Sequence, residues 1–212
     1  MPEPVKLPFP RPSKIVCVGR NYAEHARELG NEVPREPLLF LKPPSSLIPA
    51  GQPIVLPAMS NRVEYEGEIG VLVGSMLTHA SEAQAAAAVS GVLAANDVTA
   101  RDLQRSDSQW TRAKGFDTFC PVGPVHAPPA DFNTLSVVTT VNGQEKQRGA
   151  AALMVFTIPA LLAYISRVMT LEPGDLVLTG TPAGVGTLAA GDEVQVDVPG
   201  FSSVRNPVRM PS

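Results

Sequence analysis

The clearest periodic stretch lies near the C-terminus, where Glu193, Gln195 and Asp197 alternate with Val194, Val196 and Val198. A period of two predicts a strand with one buried and one wet face. Ser136 to Val141 runs into Asn142-Gly143, the dipeptide that most strongly signals a two-residue hairpin. Short apolar runs predict further strands at Lys14 to Gly19, Pro37 to Lys42, Ser46 to Ile48, Gly91 to Ala95 and Leu176 to Thr179. Helical spacing is confined to shorter pieces. Asn21 as N-cap, Glu24 three residues on and Gly30 past the end predict a helix over Tyr22 to Leu29. Ser81 to Val89 is alanine-rich with a serine start, and Thr99 with Asp102 has capping-box spacing. From Pro159 onward Ala160, Leu161, Tyr164, Ile165 and Val168 recur at helical intervals. The pattern describes one domain, residues 14–212, rich in β structure with short helices at its rim. An extended arm with five prolines, residues 1–13, precedes it.

One strand breaks the pattern. In Glu64-Tyr65-Glu66-Gly67-Glu68-Ile69-Gly70-Val71-Leu72-Val73-Gly74, three carboxylates fall on alternate positions at the mouth of an apolar run. They share a face at spacings of roughly 7 Å, so each raises the energy of the next unless water or a cation intervenes. Considered alone, the triplet reads first as a solvated edge that discourages aggregation; the competing reading is a site for a hard divalent cation. Asp97, at a strand-to-helix junction, is either an N-cap or a third ligand for such a cation. His25 and Glu28, three apart on the first helix, form either a surface pair or a base oriented by a carboxylate. Arg101 and Lys114 are lone cations, and lone cations mostly lie on surfaces. In Thr179-Gly180-Thr181-Pro182-Ala183-Gly184-Val185-Gly186 the glycines point to a backbone that must come close to something. The Lys-Ser/Thr ending of a phosphate loop is missing. His79 and His126 have no acidic neighbour at useful spacing and receive no role.

Composition narrows the classes. A formal net charge of -3 over 212 residues, without any block of Lys and Arg, argues against a nucleic-acid partner. The uncharged stretch from Ala150 to Ser166 is shorter than the about 20 residues that span a bilayer, and Pro159 interrupts it. No membrane association is expected. Cys17 and Cys120 both sit among apolar residues, which favours two buried thiols in a reducing, cytoplasmic setting.

The segments VGRNYAEHAREL, LFLKPPSSL, VEYEGEIGVLVG, NDVTARDLQ, WTRAKGFDTFCPVGP and LEPGDLVLTGTPAGVG, in that order, closely resemble the fumarylacetoacetate hydrolase family. The likeness is strongest to its small members that act on acylpyruvates and oxaloacetate. It implies a mixed α/β, predominantly β fold, a β-sandwich roll with short peripheral helices, working as a homodimer. It implies that Glu66, Glu68 and Asp97 bind Mg2+ or Mn2+, with Glu64 just outside. His25 and Glu28 match the family's acid/base pair on a short lid helix, and Lys114 matches its site lysine. Arg20, Lys42, Arg101, Gln104 and Thr181 fall where the family lines its substrate pocket. The resemblance thus points to metal-dependent cleavage of C–C bonds in short 2-oxo acids, by acylpyruvate hydrolysis or oxaloacetate decarboxylation. Isomerisation or decarboxylation in aromatic-acid catabolism is the alternative. A non-catalytic binder of metal and dicarboxylate is a different class of reading, disfavoured because such a binder needs no His25 and Glu28.

Overall fold

The computed structural model describes residues 6–211, so the first five residues of the proline-rich arm lie outside the described residues. In chain order the elements of the first half are β1 (Ile15–Gly19), α1 (Ala23–Glu28), β2 (Leu38–Lys42), β3 (Leu47–Pro49), β4 (Ile54–Val55), β5 (Val63–Tyr65), β6 (Gly67–Val73), α2 (Glu82–Ala87), β7 (Val89–Asn96), β8 (Thr99–Ala100), α3 (Arg101–Ser106) and α4 (Thr111–Lys114). The second half adds β9 (Cys120–Val122), β10 (Ser136–Val141), β11 (Gln144–Ala150), α5 (Ile158–Val168), β12 (Leu176–Leu178), β13 (Gly186–Thr187), β14 (Glu193–Val198) and β15 (Ser202–Arg209). Strands predominate and the helices are short, as the pattern and the resemblance both led us to expect.

A seven-stranded sheet runs β2-β1-β12-β6-β7-β9-β3, a five-stranded sheet β11-β10-β14-β15-β4, and a small sheet β13-β5-β8. β1 lies parallel to β12, whereas β6 runs antiparallel to both β12 and β7. The carboxyl ends of β1, β12 and β7 and the amino end of β6 therefore meet at one edge of the large sheet. The strict period of two then sorts side chains by face. Ile69, Val71, Val73, Val92 and Ala94 join Leu161, Leu162 and Ile165 of α5, and Val196, Val198 and Val204 of the second sheet, in one core. Leu93, Ala95, Leu176 and Leu178 on the opposite face pack with Ile15, Cys17 and Cys120. Both cysteines are free and buried.

Five local expectations are corrected. EYEGEIGVLVG is two strands, not one: β5 belongs to the small sheet, β6 to the large one, and Glu66 is the corner between them. The first helix begins after Tyr22 with no side-chain cap. Asn21 instead donates to the carbonyls of Phe156 and Thr179 and accepts from the Phe156 amide, so it ties the helix approach to the strand ends. Thr99 lies in β8 rather than at a cap, and the Asp102 carboxylate accepts from Ser60, Asn61 and Leu103. Ser46 closes a 3-10 turn, and strand pairing starts only at Leu47. On α5 the buried stripe includes Ile158 and Leu162, while Val168 at the C-terminal end is 57% exposed. The predicted hairpin is present, with Asn142 and Gly143 both at positive φ, the twist-matched turn between β10 and β11.

Candidate active site

At the shared sheet edge, the backbone turns out of β5, passes Glu66 and enters β6 at Gly67. Asp97 follows the last residue of β7, and its amide donates to the Glu66 carbonyl at 2.8 Å. Glu68 faces the same end, paired in register with Ala95. One carboxylate oxygen from each of Glu66, Glu68 and Asp97 can be chosen so that all three lie within 4.8 Å of one another, and all three residues are buried. The surface-edge reading of the acidic triplet therefore fails. Nor does Asp97 cap a helix.

Cations converge on these acids. Lys114 Nζ donates to Glu66 Oε2 at 2.7 Å and to Asp97 Oδ2 at 2.6 Å. Lys42 Nζ sits 2.7 Å from Asp97 Oδ1 and donates to the Val98 carbonyl at 3.2 Å. The guanidinium of Arg101 forks: Nε donates to Glu64 at 2.7 Å, one terminal nitrogen to Glu66 at 2.5 Å, and the other to Gln104. Arg101 and Lys114, read as surface cations from local sequence, are thus fully enclosed. Glu64 stands one step back, held between Arg101 and Arg62.

Buried charge does not balance in this cluster. Glu64, Glu66, Glu68 and Asp97 face three buried cations, Lys42, Arg101 and Lys114, with Arg62 reaching Glu64 from the exposed side. The residue left over is Glu68, whose one hydrogen bond among the described residues comes from the Gly180 amide at 2.7 Å. Burial, together with Asp97 and Glu66, pushes its carboxyl well above the usual carboxylate range. Burial would also raise Glu66, but Lys114, Arg101 and His25 outweigh it and hold Glu66 well below that range. Burial opposes the charge on Lys114, yet Asp97 and Glu66 prevail and raise its pKa. A compact set of three carboxylates, one of them short of a counter-charge and with Asp97 Oδ1 accepting no aligned hydrogen bond among the described residues, suits a hard divalent cation. The donor set fits Mg2+ or Mn2+ in its chemistry.

A cavity of about 250 Å3 opens onto the three acids and is also lined by Arg20, His25, Arg101, Gln104, Lys114 and Thr181. Thr181 is fixed by donating to the Gly67 carbonyl at 2.8 Å and accepting from Gln147 at 2.8 Å. Gln147 also accepts the Gly67 amide, so one side chain ties the β6 entrance to the glycine-rich loop. His25 is 4% exposed, and its Nδ1 lies 3.2 Å from Glu28 Oε2. It lies within the cavity wall, contrary to the surface-pair reading. Two expected residues do not line the cavity. Lys42 is turned away to hold Asp97, because a buried carboxylate at the strand end needs a counter-charge there. Glu28 stands behind His25. Sequence reasoning missed Phe40, Arg105 and Trp110 in the wall, and Gln147 behind it. Phe40 and Trp110 pack edge to face at 5.2 Å, with Lys114 Nζ 4.8 Å from the Phe40 ring.

The profile described as fumarylacetoacetate (FAA) hydrolase C-terminal matches residues 14–209. The chain is 42% identical over 204 residues to the oxaloacetate tautomerase FAHD1, mitochondrial, of Bos taurus, covering 93% of this chain and 92% of that protein. A solved structure of 5-carboxymethyl-2-hydroxymuconate delta-isomerase from Mycobacterium smegmatis superposes with a TM-score of 0.88 at 44% identity, covering 95% of this chain and 80% of that one. Fumarylpyruvate hydrolase from Pseudomonas aeruginosa, solved in complex with Mn2+ and pyruvate, gives 0.89 at 30% identity, covering 96% and 91%.

Proposed function

Since the chain belongs to the fumarylacetoacetate hydrolase family, we propose that it is a metal-dependent enzyme of short 2-oxo acids that breaks the bond between C3 and C4. Acylpyruvates or oxaloacetate are the substrates. The observation that carries this reading is the buried Glu66, Glu68 and Asp97 set opening onto a cavity that also holds His25 and Lys114. Glu66, Glu68 and Asp97 would hold Mg2+ or Mn2+, which when bound supplies positive charge for a 1-carboxylate and a 2-oxo oxygen.

The chain's own residues account for the rest. In hydrolysis His25 takes a proton from water, and the resulting hydroxide adds to C4. The C3–C4 bond then breaks, its electron pair passes to the C2 oxygen as an enolate, and protonation at C3 yields pyruvate beside the released acid. Glu28 holds the imidazole and supports its positive form. Lys114, fixed on two carboxylates at the cavity wall, places a cation beside the oxygen on which charge develops. In decarboxylation of oxaloacetate, carbon dioxide leaves with C4 and the same electron pair is left behind, so no water is activated.

A second reading, keto–enol interconversion of oxaloacetate, moves only a proton between C3 and the C2 oxygen. It is favoured by the bovine relative, named an oxaloacetate tautomerase, and by a His25 with a carboxylate behind it. Homodimer formation and a cytoplasmic location belong to the same proposal. The first rests on the resemblance. The second is supported by two buried free thiols. Purified protein given acetylpyruvate and oxaloacetate in parallel, with Mg2+, Mn2+ or EDTA, tests the function. Pyruvate release removed by EDTA supports cleavage, enol loss without pyruvate supports interconversion, and neither activity on either acid refutes both.

A further inference from the structure

The glycine-rich loop after β12 has a purpose the phosphate-loop comparison left open. The amide of Gly184 donates to both oxygens of Glu28, at 3.0 and 3.2 Å, and Glu28 in turn meets His25 Nδ1. The carbonyl of the same Gly184 accepts the Tyr65 hydroxyl at 2.9 Å. Tyr65 is buried, and it is held by pairing with Gly186 across β5 and β13. Only glycine suits position 184: its φ is +100°, and a Cβ there would stand 2.1 Å from the Lys146 carbonyl.

The helix that carries His25 needs this support. α1 has six residues and no side-chain cap, and so short a helix is not stable by itself. Its outer side chain, Glu28, is one-third exposed and would sample several rotamers if nothing held it. We propose that Tyr65 and Gly184 are positioning residues, an anchor in which the Tyr65 hydroxyl fixes the Gly184 peptide and that peptide fixes Glu28, and through it the His25 imidazole. The inference rests on the reading of His25 as the site's proton acceptor, but its first test does not.

Tyr65→Phe keeps the ring and removes only the hydroxyl. Amide hydrogen exchange should then rise about tenfold at Ala26, Leu29, Gly30 and Asn31, hydrogen-bonded amides of α1 and its C-terminal turn, while amides of β6 and β7 stay protected. On whichever 2-oxo acid the wild type consumes, kcat should fall roughly three- to tenfold with KM and Mn2+ affinity held. Adding Tyr65→Phe to Glu28→Gln should lower kcat no further, because both act through one carboxylate. Unchanged exchange at α1, multiplicative losses in the double variant, or a loss of Mn2+ affinity traceable to neighbouring Glu66 would each overturn the proposal. If the wild type consumes no 2-oxo acid, the functional reading falls and the exchange result alone decides on the anchor.

Discussion

Lys42 Nζ and Asp97 Oδ1 lie 2.7 Å apart with both side chains sealed from solvent. The lysine comes from the last residue of β2 and approaches Asp97 from outside the cavity, over the ring of Phe119. Replacing it by methionine keeps the stem and removes the charge, leaving Asp97 with Lys114 as its one cation. Breaking a buried pair from one side costs about 3–5 kcal/mol. Lys42→Met should therefore lower the urea midpoint with m unchanged, and saturating Mg2+ should restore much of the loss by giving Asp97 another positive neighbour. An equal loss with and without Mg2+ would show that the missing stability does not come from the charge facing Asp97, and no loss at all would mean that Lys42 only fills space.

Glu68 and Glu66 make opposite contributions to stability across pH. The folded chain holds the Glu68 proton more tightly than the unfolded chain does, so stability drops as pH rises from about 4.5 through the raised folded value. Glu66 is held low, so its contribution is present above the ordinary Glu range and disappears as pH falls toward its lowered value. Calorimetry of metal-free protein should show a melting temperature that declines toward neutral pH, by about 2–4 °C per kcal/mol lost. Mn2+ should flatten that decline in the wild type. Glu68→Gln should flatten it without metal and abolish Mn2+ binding. A decline that survives Glu68→Gln would place its origin elsewhere.

His25 separates the two cleavage chemistries. With Glu28 at 3.2 Å it can activate water, which hydrolysis needs and decarboxylation does not. His25→Ala should cut acylpyruvate hydrolysis by about 10²- to 10⁴-fold and oxaloacetate decarboxylation by less than about tenfold. Calorimetric Mg2+ affinity should stay as in the wild type. Equal loss of both activities would end the assignment of separate roles.

Much of this fold could be read from local pattern, because each strand's period of two and each turn dipeptide act within a few residues. Ser136–Val141 with Asn142-Gly143, and Glu193–Val198, needed nothing more. The motifs also carried Glu66, Glu68, Asp97 and His25 to one place, though only through resemblance: spacing alone left Asp97 open as a cap. What remained hidden depends on long-range partners. Arg101 reads as a surface residue until Glu64 and Glu66 arrive from 37 and 35 positions away. Lys42 reads as a pocket residue until β2 is laid beside β1 at the sheet edge. Gln147, in a polar strand of ordinary appearance, gives no signal of the loop it clamps 34 residues on. The break of EYEGEIGVLVG at Glu66 was equally silent, since it follows from which sheets claim the two halves.

That break puts Gly67 between two carboxylates of the site, and Gly67 has no room to spare. A Cβ built there would stand 1.9 Å from Thr139 Oγ1 and 3.2 Å from Val196 Cγ1 on the facing sheet. Gly67→Ala must therefore push β10 aside or shift the Glu66–Glu68 peptide, at a cost of about 1–3 kcal/mol for overpacking. Mn2+ affinity should fall with it. Thr139 Oγ1 is buried without a hydrogen-bond partner among the described residues, so Thr139→Ala strands no other group there. Combining the two substitutions removes the clashing oxygen and leaves the tight contact to the residue 139 Cβ, at 3.2 Å. The double variant should recover most of the urea midpoint and of the Mn2+ affinity, with a coupling of about 1–2 kcal/mol in the cycle. Strictly additive losses would show that the strain is relieved somewhere other than Thr139.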